Sequence, residues 1–296
     1  MEIKINEEKI NFELENEKTI GEIISVIRNW IYGSGFIITS VFLDNREIKI
    51  DEQSGWQDIP VADIKTLNIK INHVTELRAE NLKTVIKYLG MLSDAVGSSD
   101  KKMYRELLTG FPFMLESLGS NYILNKNTDS LGRIIKETSV DDIMSLNNDE
   151  KEEIIRLISE IIANTEEALH EIQYPAEALR SITDKLHASA EEIGEVSVLL
   201  QSGKDKQAMD YVVKFSDLTQ RFFRILTALG DSGKIQLNSI KIQGKKSSEF
   251  YHDLNNILNQ LLDAFHVQDS VLIGDLLEYE IAPRMEILME LSRGLL

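Results

Sequence analysis

Two Glu-x-x-His pairs, Glu167/His170 and Glu249/His252, have the spacing best suited to metal chemistry in this chain. On a helix each pair sets a carboxylate and an imidazole about one turn apart. A bundle that converges two such pairs with one Glu from each of two further helices can hold a di-metal centre. Orientation argues against that use here. The apolar stripe of the first helix includes Ile154, Ile158, Ile161, Thr165 and Ile172. At about 100° per residue, Glu167 falls about 200° from Thr165. In the second helix Phe250, Leu254, Ile257, Leu261 and Phe265 form the stripe, and His252 falls about 200° from Phe250. Both pairs are expected to face away from the core, so no metal ligand is assigned.

Other catalytic patterns are weaker still. Gly230-Asp231-Ser232-Gly233-Lys234 has a phosphate-loop look, but the motif needs four residues between its glycines and a Ser or Thr after the Lys. Here two residues intervene and Ile235 follows, so a glycine helix stop and turn is the expectation. The chain has no cysteine, which removes thiolate metal sites, disulfides and a cysteine nucleophile. No G-x-S-x-G elbow is present. The five histidines, His73, His170, His187, His252 and His266, are scattered. No catalytic residue and no cofactor are assigned, and the chain is read as non-enzymatic.

Charge narrows the partners. Lys and Arg number 32 against 49 Asp and Glu in 296 residues, a net charge of −17. Nucleic-acid binding depends on Lys and Arg at phosphates, and an anionic membrane surface also attracts cations, so neither is expected. No apolar run approaches the roughly 18–20 residues of a membrane span. The first residues alternate apolar and charged side chains, unlike a signal peptide. The expectation is a cytoplasmic protein without membrane insertion. Its 43% apolar content is enough to build a sizeable core.

The elements that would position any site fall into two kinds. Ile3 and Ile5, then Ile10, Phe12 and Leu14, alternate with polar residues, the period of half-buried strands. Thr19 and Glu22 form a capping box that opens a helix with Ile20, Ile23, Ile24, Ile27 and Ile31 on one face. Gly33-Ser34-Gly35 ends it. Phe36–Leu43 reads as a strand, Asp44-Asn45-Arg46 as a turn, Glu47–Ile50 as the return and Leu67–Ile71 as the last strand. On M-E-I-K-I, T-I-G-E-I-I, V-F-L-D-N-R-E-I and L-N-I-K-I, this order resembles a ubiquitin-like β-grasp domain over residues 1–72. The resemblance implies a small interaction module. The last strand runs on through Asn72-His73 into a helix, so the free Gly-Gly tail needed for conjugation or sulfur transfer is not supported.

From Thr75 onward the periodicity is helical, interrupted by Pro112, Pro175 and Pro283. Three helical hairpins are expected, over about 77–119, 177–229 and 248–293, with a further helix over about 149–172. Asp100, Asp205 and Asp269 are candidate N-caps at equivalent places in the three hairpins. The Asn-rich stretch 120–148 reads as a polar connection with a short helix near Leu131–Lys136. The fold class is α+β: a β-grasp module over 1–72, a helical hairpin and linker over 75–146, and a helical bundle over 147–296.

Two features are candidate partner contacts. Lys234, Lys241, Lys245 and Lys246 lie in an acid-free segment of an acidic chain. There Lys234–Leu237 and Ile240–Gln243 alternate as a small β-hairpin around Asn238-Ser239. The second feature is Phe111, Phe113 and Met114 around Pro112, where a helix kink would make a docking notch. For each, packing against the chain's own body is the competing expectation. The functional expectation is a protein–protein interaction factor: an adaptor, scaffold or secretion/flagellar-type chaperone. Its partner would be another protein, or a second copy in a homo-oligomer. A metal-binding or enzymatic bundle using the Glu-x-x-His pairs is the alternative from a different class, and a structural homo-oligomer is another.

Overall fold

A computed structural model describes residues 1–11, 17–31, 34–49, 55–236 and 240–295. Phe12, Leu14, Gly33, Ile50, Leu237 and the Asn238-Ser239 turn, all named above, lie outside the described residues. The chain forms two compact units, Met1–Leu77 with Gly230–Gln236, and Arg78–Leu229 with Leu237–Leu296.

The first unit carries β1 (Glu2–Ile5), β2 (Glu8–Lys9), α1 (Ile20–Ile31), β3 (Phe36–Leu43), β4 (Arg46–Ile48) and β5 (Thr66–His73). The strands order as β2-β1-β5-β3-β4, with β1 and β5 parallel and every other pair antiparallel. Both hairpins turn on two residues of positive φ, Asn6-Glu7 and Asp44-Asn45. That is the conformation two-residue hairpin loops require, and Asn and Asp adopt it at low cost. The capping box forms as its spacing predicts. Glu22 accepts from the Thr19 backbone N–H at 3.2 Å, and Thr19 Oγ1 accepts from Glu22 N–H at 3.4 Å. The backbone donors of Lys18 and Thr19 hold the Glu22 carboxyl below its ordinary value. All five expected isoleucines of α1 are buried, and Ile20, Ile23, Ile24 and Ile27 cluster with Ile3, Val41, Leu43, Leu67 and Ile69 of the sheet.

The second unit is helical. Its helices are α2 (Val74–Gly97, of which Arg78 onward belongs to this unit), α3 (Lys101–Leu108), α4 (Phe111–Ser120), α5 (Lys126–Glu137), α6 (Val140–Ser145) and α7 (Asn148–Gln173). They continue as α8 (Pro175–Gln201), α9 (Asp205–Asp231), α10 (Ser247–His266), α11 (Ser270–Asp275) and α12 (Ala282–Gly294). A π-helical turn, Leu276–Ile281, joins α11 to α12.

Several expectations are relocated. Pro112 does not kink a helix. It stands in the first turn of α4, where its missing N–H has no helical acceptor to lose. Pro175 occupies the same kind of position in α8, whereas Pro283 follows the π-helical turn with no break in the helical backbone. Phe111 and Met114 are buried in the unit's own core, so they form no notch, whereas Phe113 is 71% exposed. The stretch 120–148 forms α5 and α6, whose Leu131 and Ile143 join the same core as Leu82, Leu118 and Ile158. Its asparagines are spent on structure: Asn125 and Asn147 each cap a helix. Asp100 and Asp269 cap α3 and α11, but Asp205 is the first residue of α9 rather than its cap. A hairpin does lie in the basic segment, as β6 (Lys241–Ile242) and β7 (Lys245–Lys246) around Gln243-Gly244. Those two residues have φ of 51° and 79°, again the two-residue turn. Lys234–Gln236 is not part of it.

Two tyrosines of the α2–α4 core give a pH prediction. The Tyr88 hydroxyl donates to the Leu107 carbonyl at 2.8 Å. Burial pushes both Tyr88 and Tyr104 up to about 12, and Tyr104 adds to the effect on Tyr88. An unfolded tyrosine ionises near pH ~10. Because the native values are raised, this contribution to stability is complete below about pH 10 and is lost as pH climbs through about 12. In an ultraviolet titration Tyr88→Phe and Tyr104→Phe should each remove one late-ionising group among the eight tyrosines. If neither substitution alters the late phase, the assignment is wrong.

Candidate functional site

One recess of the helical unit is a groove of about 610 Å³. Its walls come from five helices and one loop. From α10, Tyr251, Asn255 and Asn259 recur every four residues, which puts them in one row along the helix. Helix α9 supplies Ser216, Asp217 and Gln220, α7 supplies Asn164, and the start of α5 with the loop before it supplies Tyr122, Asn125 and Lys126. A smaller recess of about 140 Å³ shares Tyr122, Asn164, Asp217 and Gln220 and extends the groove to Glu167, Arg221 and Arg224.

Six amides line this groove beside the apolar Leu124, Val213 and Leu262, and they fall into two classes. Asn125 is committed: its side chain accepts from the backbone N–H of Asn127 at 2.9 Å and of Thr128 at 3.3 Å. Asn127 donates to Glu160 at 2.8 Å. Asn164, Gln220, Asn255 and Asn259 are different. Among the described residues their side-chain amides have no hydrogen-bond partner within the chain. Each carries two donors and an acceptor, so four neutral groups that can both give and receive converge on one groove.

Beneath the groove lies an ion network. Glu171 of α7 is 3% exposed and Arg224 of α9 is 4% exposed. Arg224 Nε donates to Glu171 Oε2 at 2.7 Å, Nη2 donates to the same oxygen at 2.5 Å, and Nη1 donates to the Tyr122 carbonyl at 2.8 Å. Arg221 Nε donates to Glu171 Oε1 at 2.7 Å, and its Nη2 lies 2.8 Å from Glu167 Oε1. Two guanidinium groups and two carboxylates thus cancel. Burial pushes the Arg224 guanidinium down from its ordinary value, while Glu171 holds it up. Arginine stays protonated in proteins, so the pair is ionic. It clamps α7 to α9 and fixes Tyr122 at the groove's rim. Nearby the Tyr251 ring stands 4.9 Å from Phe223 and 5.2 Å from Tyr122, with burial raising its hydroxyl. Asp217 is pushed up by partial burial, with Lys126 and Arg221 opposing.

The residues singled out earlier lie elsewhere. Glu167 is tied to Arg221, His170 is exposed beside Tyr174, Glu249 accepts from the Lys246 backbone N–H, and His252 is exposed. Among the described residues no cluster of three or more His, Cys, Asp or Glu is placed to hold a metal. Lys245 is paired with Asp253 of α10. Lys234, Lys241 and Lys246 are exposed, and Ile242 anchors the small ribbon with its buried side chain. Lys234 belongs to the first unit and the other three lysines to the second.

Neither the groove nor the network was reached from the sequence. The row Tyr251-x₃-Asn255-x₃-Asn259 was the available signal, because three polar positions at helical spacing cover one face beside the apolar stripe. Arg224 carried a signal too, as a charged residue inside the apolar run Phe222–Leu226.

Comparisons with known proteins cover the two ends of the chain. Residues 1–73 match the family model of the TP0873 N-terminal domain, and residues 177–291 match that of a domain of unknown function, DUF8042. A protein of Treponema pallidum (strain Nichols), described as an uncharacterized protein, is 31% identical over 118 residues. The match takes in 40% of this chain and 56% of the relative, so it spans about half of that relative's length. No solved structure matches. The chain is therefore similar to the TP0873 N-terminal domain over its first quarter and to DUF8042 from α8 to α12, the stretch that contributes Gln220, Asn255 and Asn259 to the groove.

Proposed function

We propose that this protein is a non-enzymatic cytoplasmic interaction factor, an adaptor or chaperone-like protein that captures another protein at the groove of its helical unit. One observation carries the reading: Asn164, Gln220, Asn255 and Asn259, from three helices, face one groove with their hydrogen-bonding capacity unused within the described chain. Polar side chains held on rigid helices make a prepared surface, since little order has to be gained on binding. The first unit is read as a β-grasp module. Its β2-β1-β5-β3-β4 order with a parallel central pair, covered by one helix, supports that reading. The exposed Lys241 and Lys246 precede α10 and are open to an acidic stretch of the same partner.

The test is crosslinking in the native cell with the full chain as bait, comparing wild type with the Asn255→Ala/Asn259→Ala double variant. Asn255 is half-buried and Asn259 exposed, so the variant should keep its helical circular dichroism. A stoichiometric partner present with wild type and reduced at least tenfold with the variant is the expected result. Equal recovery by both baits removes the groove as the contact. A parallel Lys241→Glu/Lys246→Glu bait reports whether the ribbon contributes.

A further inference from the structure

We infer that the groove holds a partner segment in extended conformation and reads its main chain rather than its side chains. This rests on the groove being the partner site, as proposed above, and specifies the chemistry of what occupies it.

Spacing is the first argument. Asn255 and Asn259 are four residues apart on α10, a rise of about 6 Å. In an extended chain every second residue presents its N–H and C=O to the same side, at intervals of about 6.8 Å. A side-chain amide carries a donor and an acceptor, the complement of one residue's N–H and C=O. Two asparagines one helical repeat apart can therefore engage alternate residues of one extended segment. Length agrees. From Tyr251 to Leu262 the α10 wall is about 16 Å long, the span of about five extended residues. Opposite it, Asn164 and Gln220 offer two further amides.

Charge is the second argument. The chain carries −17, yet the free groups in the groove are neutral amides. The ionised side chains are few and of both signs: Lys126, Asp129 and Asp217 around the groove, and the self-cancelling Arg221, Arg224, Glu167 and Glu171 below it. Such a site favours a neutral dipolar ligand over an anion or a cation. A peptide backbone is that ligand. A neutral sugar is the rival, but sugar rings rest on an open aromatic face, and the Tyr251 ring is occupied by Phe223 and Tyr122.

The test uses the full chain and a pool of blocked ten-residue peptides of randomised Gly, Ser, Thr, Val and Asn. Peptides retained by wild type are resynthesised with N-methyl groups at alternate residues, in both registers. N-methylation removes a backbone N–H and leaves every side chain in place. One register should weaken binding at least tenfold and the other much less. Asn255→Ala and Asn259→Ala should each weaken the parent peptide about fivefold, the loss of about one hydrogen bond. Equal binding by parent and both methylated registers overturns main-chain recognition. So does a wild-type chain that retains no peptide but binds a neutral oligosaccharide. Should the double variant lose its cellular partner while wild type retains no peptide, the groove remains the contact and the extended mode is overturned. Should the partner be recovered equally by both baits, and no peptide be retained, both readings fall.

Discussion

Glu171→Ala should cost about 3–5 kcal/mol of folding stability, because it strands the Arg224 guanidinium in the interior. In the folded chain the Glu171 carboxylate accepts three hydrogen bonds, two from Arg224 and one from Arg221. After the substitution Arg224, 4% exposed, keeps only the Tyr122 carbonyl among these partners. The loss therefore reflects an uncompensated buried charge more than the value of the pair itself. Replacing both partners by apolar residues of similar size, Glu171→Leu with Arg224→Met, should recover most of the loss, since a buried ion pair and a well-packed apolar pair often have similar stability. Urea denaturation of the two single variants and the double variant supplies the cycle. A double variant as unstable as the sum of the singles would mean that the two groups are not coupled. There is also a readout at the groove. With Arg224→Met the Tyr122 carbonyl loses its donor, so partner capture should weaken even where the chain remains folded.

Gly35→Ala should be the most damaging single change in the first unit. Gly35 has φ of +80°, a conformation that costs a residue with a Cβ about 1–2 kcal/mol. A Cβ there would stand 2.1 Å from the Asp231 carbonyl oxygen and 2.8 Å from His73 Nε2. Rotating His73 away is not free. Its Nδ1 accepts from the Thr75 N–H at 3.3 Å, and its ring meets Phe36 edge-on at 5.1 Å. The Asp231 oxygen is backbone and cannot rotate away alone. Adding typical overpacking strain, about 1–3 kcal/mol, gives an expected loss of about 2–5 kcal/mol. The segment Gly230–Gln236 should be displaced with it, and it contains the exposed Lys234. Limited trypsin digestion should then cut after Lys234 several times faster than in wild type. Unchanged cleavage and unchanged stability would show that the close approach at Gly35 does not constrain this segment.

Legibility in the sequence followed the physics of each element. The α1 stripe was readable because five isoleucines at helical spacing sit behind a two-residue capping box, and all five are buried. The order of strands and helix in the first unit was readable for the same reason, from period-two runs between turn residues. Phe111 and Met114 were legible as core, and the docking reading of them fails because Pro112 starts a helix rather than bending one. The expected turn at Asn238-Ser239 lies outside the described residues, and the described hairpin is the one that pairs Lys241–Ile242 with Lys245–Lys246. What selects the turn is positive φ, which Gln243-Gly244 supplies. The groove was out of reach. Asn164, Gln220 and Asn255 are far apart along the chain, and an asparagine on a helix face looks the same whether it meets solvent or a cleft. Long-range pairing hid the ion network too, since 53 residues separate Glu171 from Arg224.

The π-helical turn at Leu276–Ile281 bears on how this chain tolerates insertion and deletion. Buried positions there run Leu277, Ile281, Met285. Two successive steps of four residues would swing an ideal α-helix by about 40° each, out of line with the core. A turn closed over five residues absorbs that drift and returns Met285 and Leu288 to the interior. Removing one residue from 276–281 would press the Pro283 ring against the preceding α-helical turn, at a cost of about 3 kcal/mol, and would rotate everything after it by about 100°. Met285 and Leu288 would then lose their burial. Length in this turn is thus a coded quantity: homologues that differ by one residue here should show a compensating phase change in the apolar pattern of the last helix.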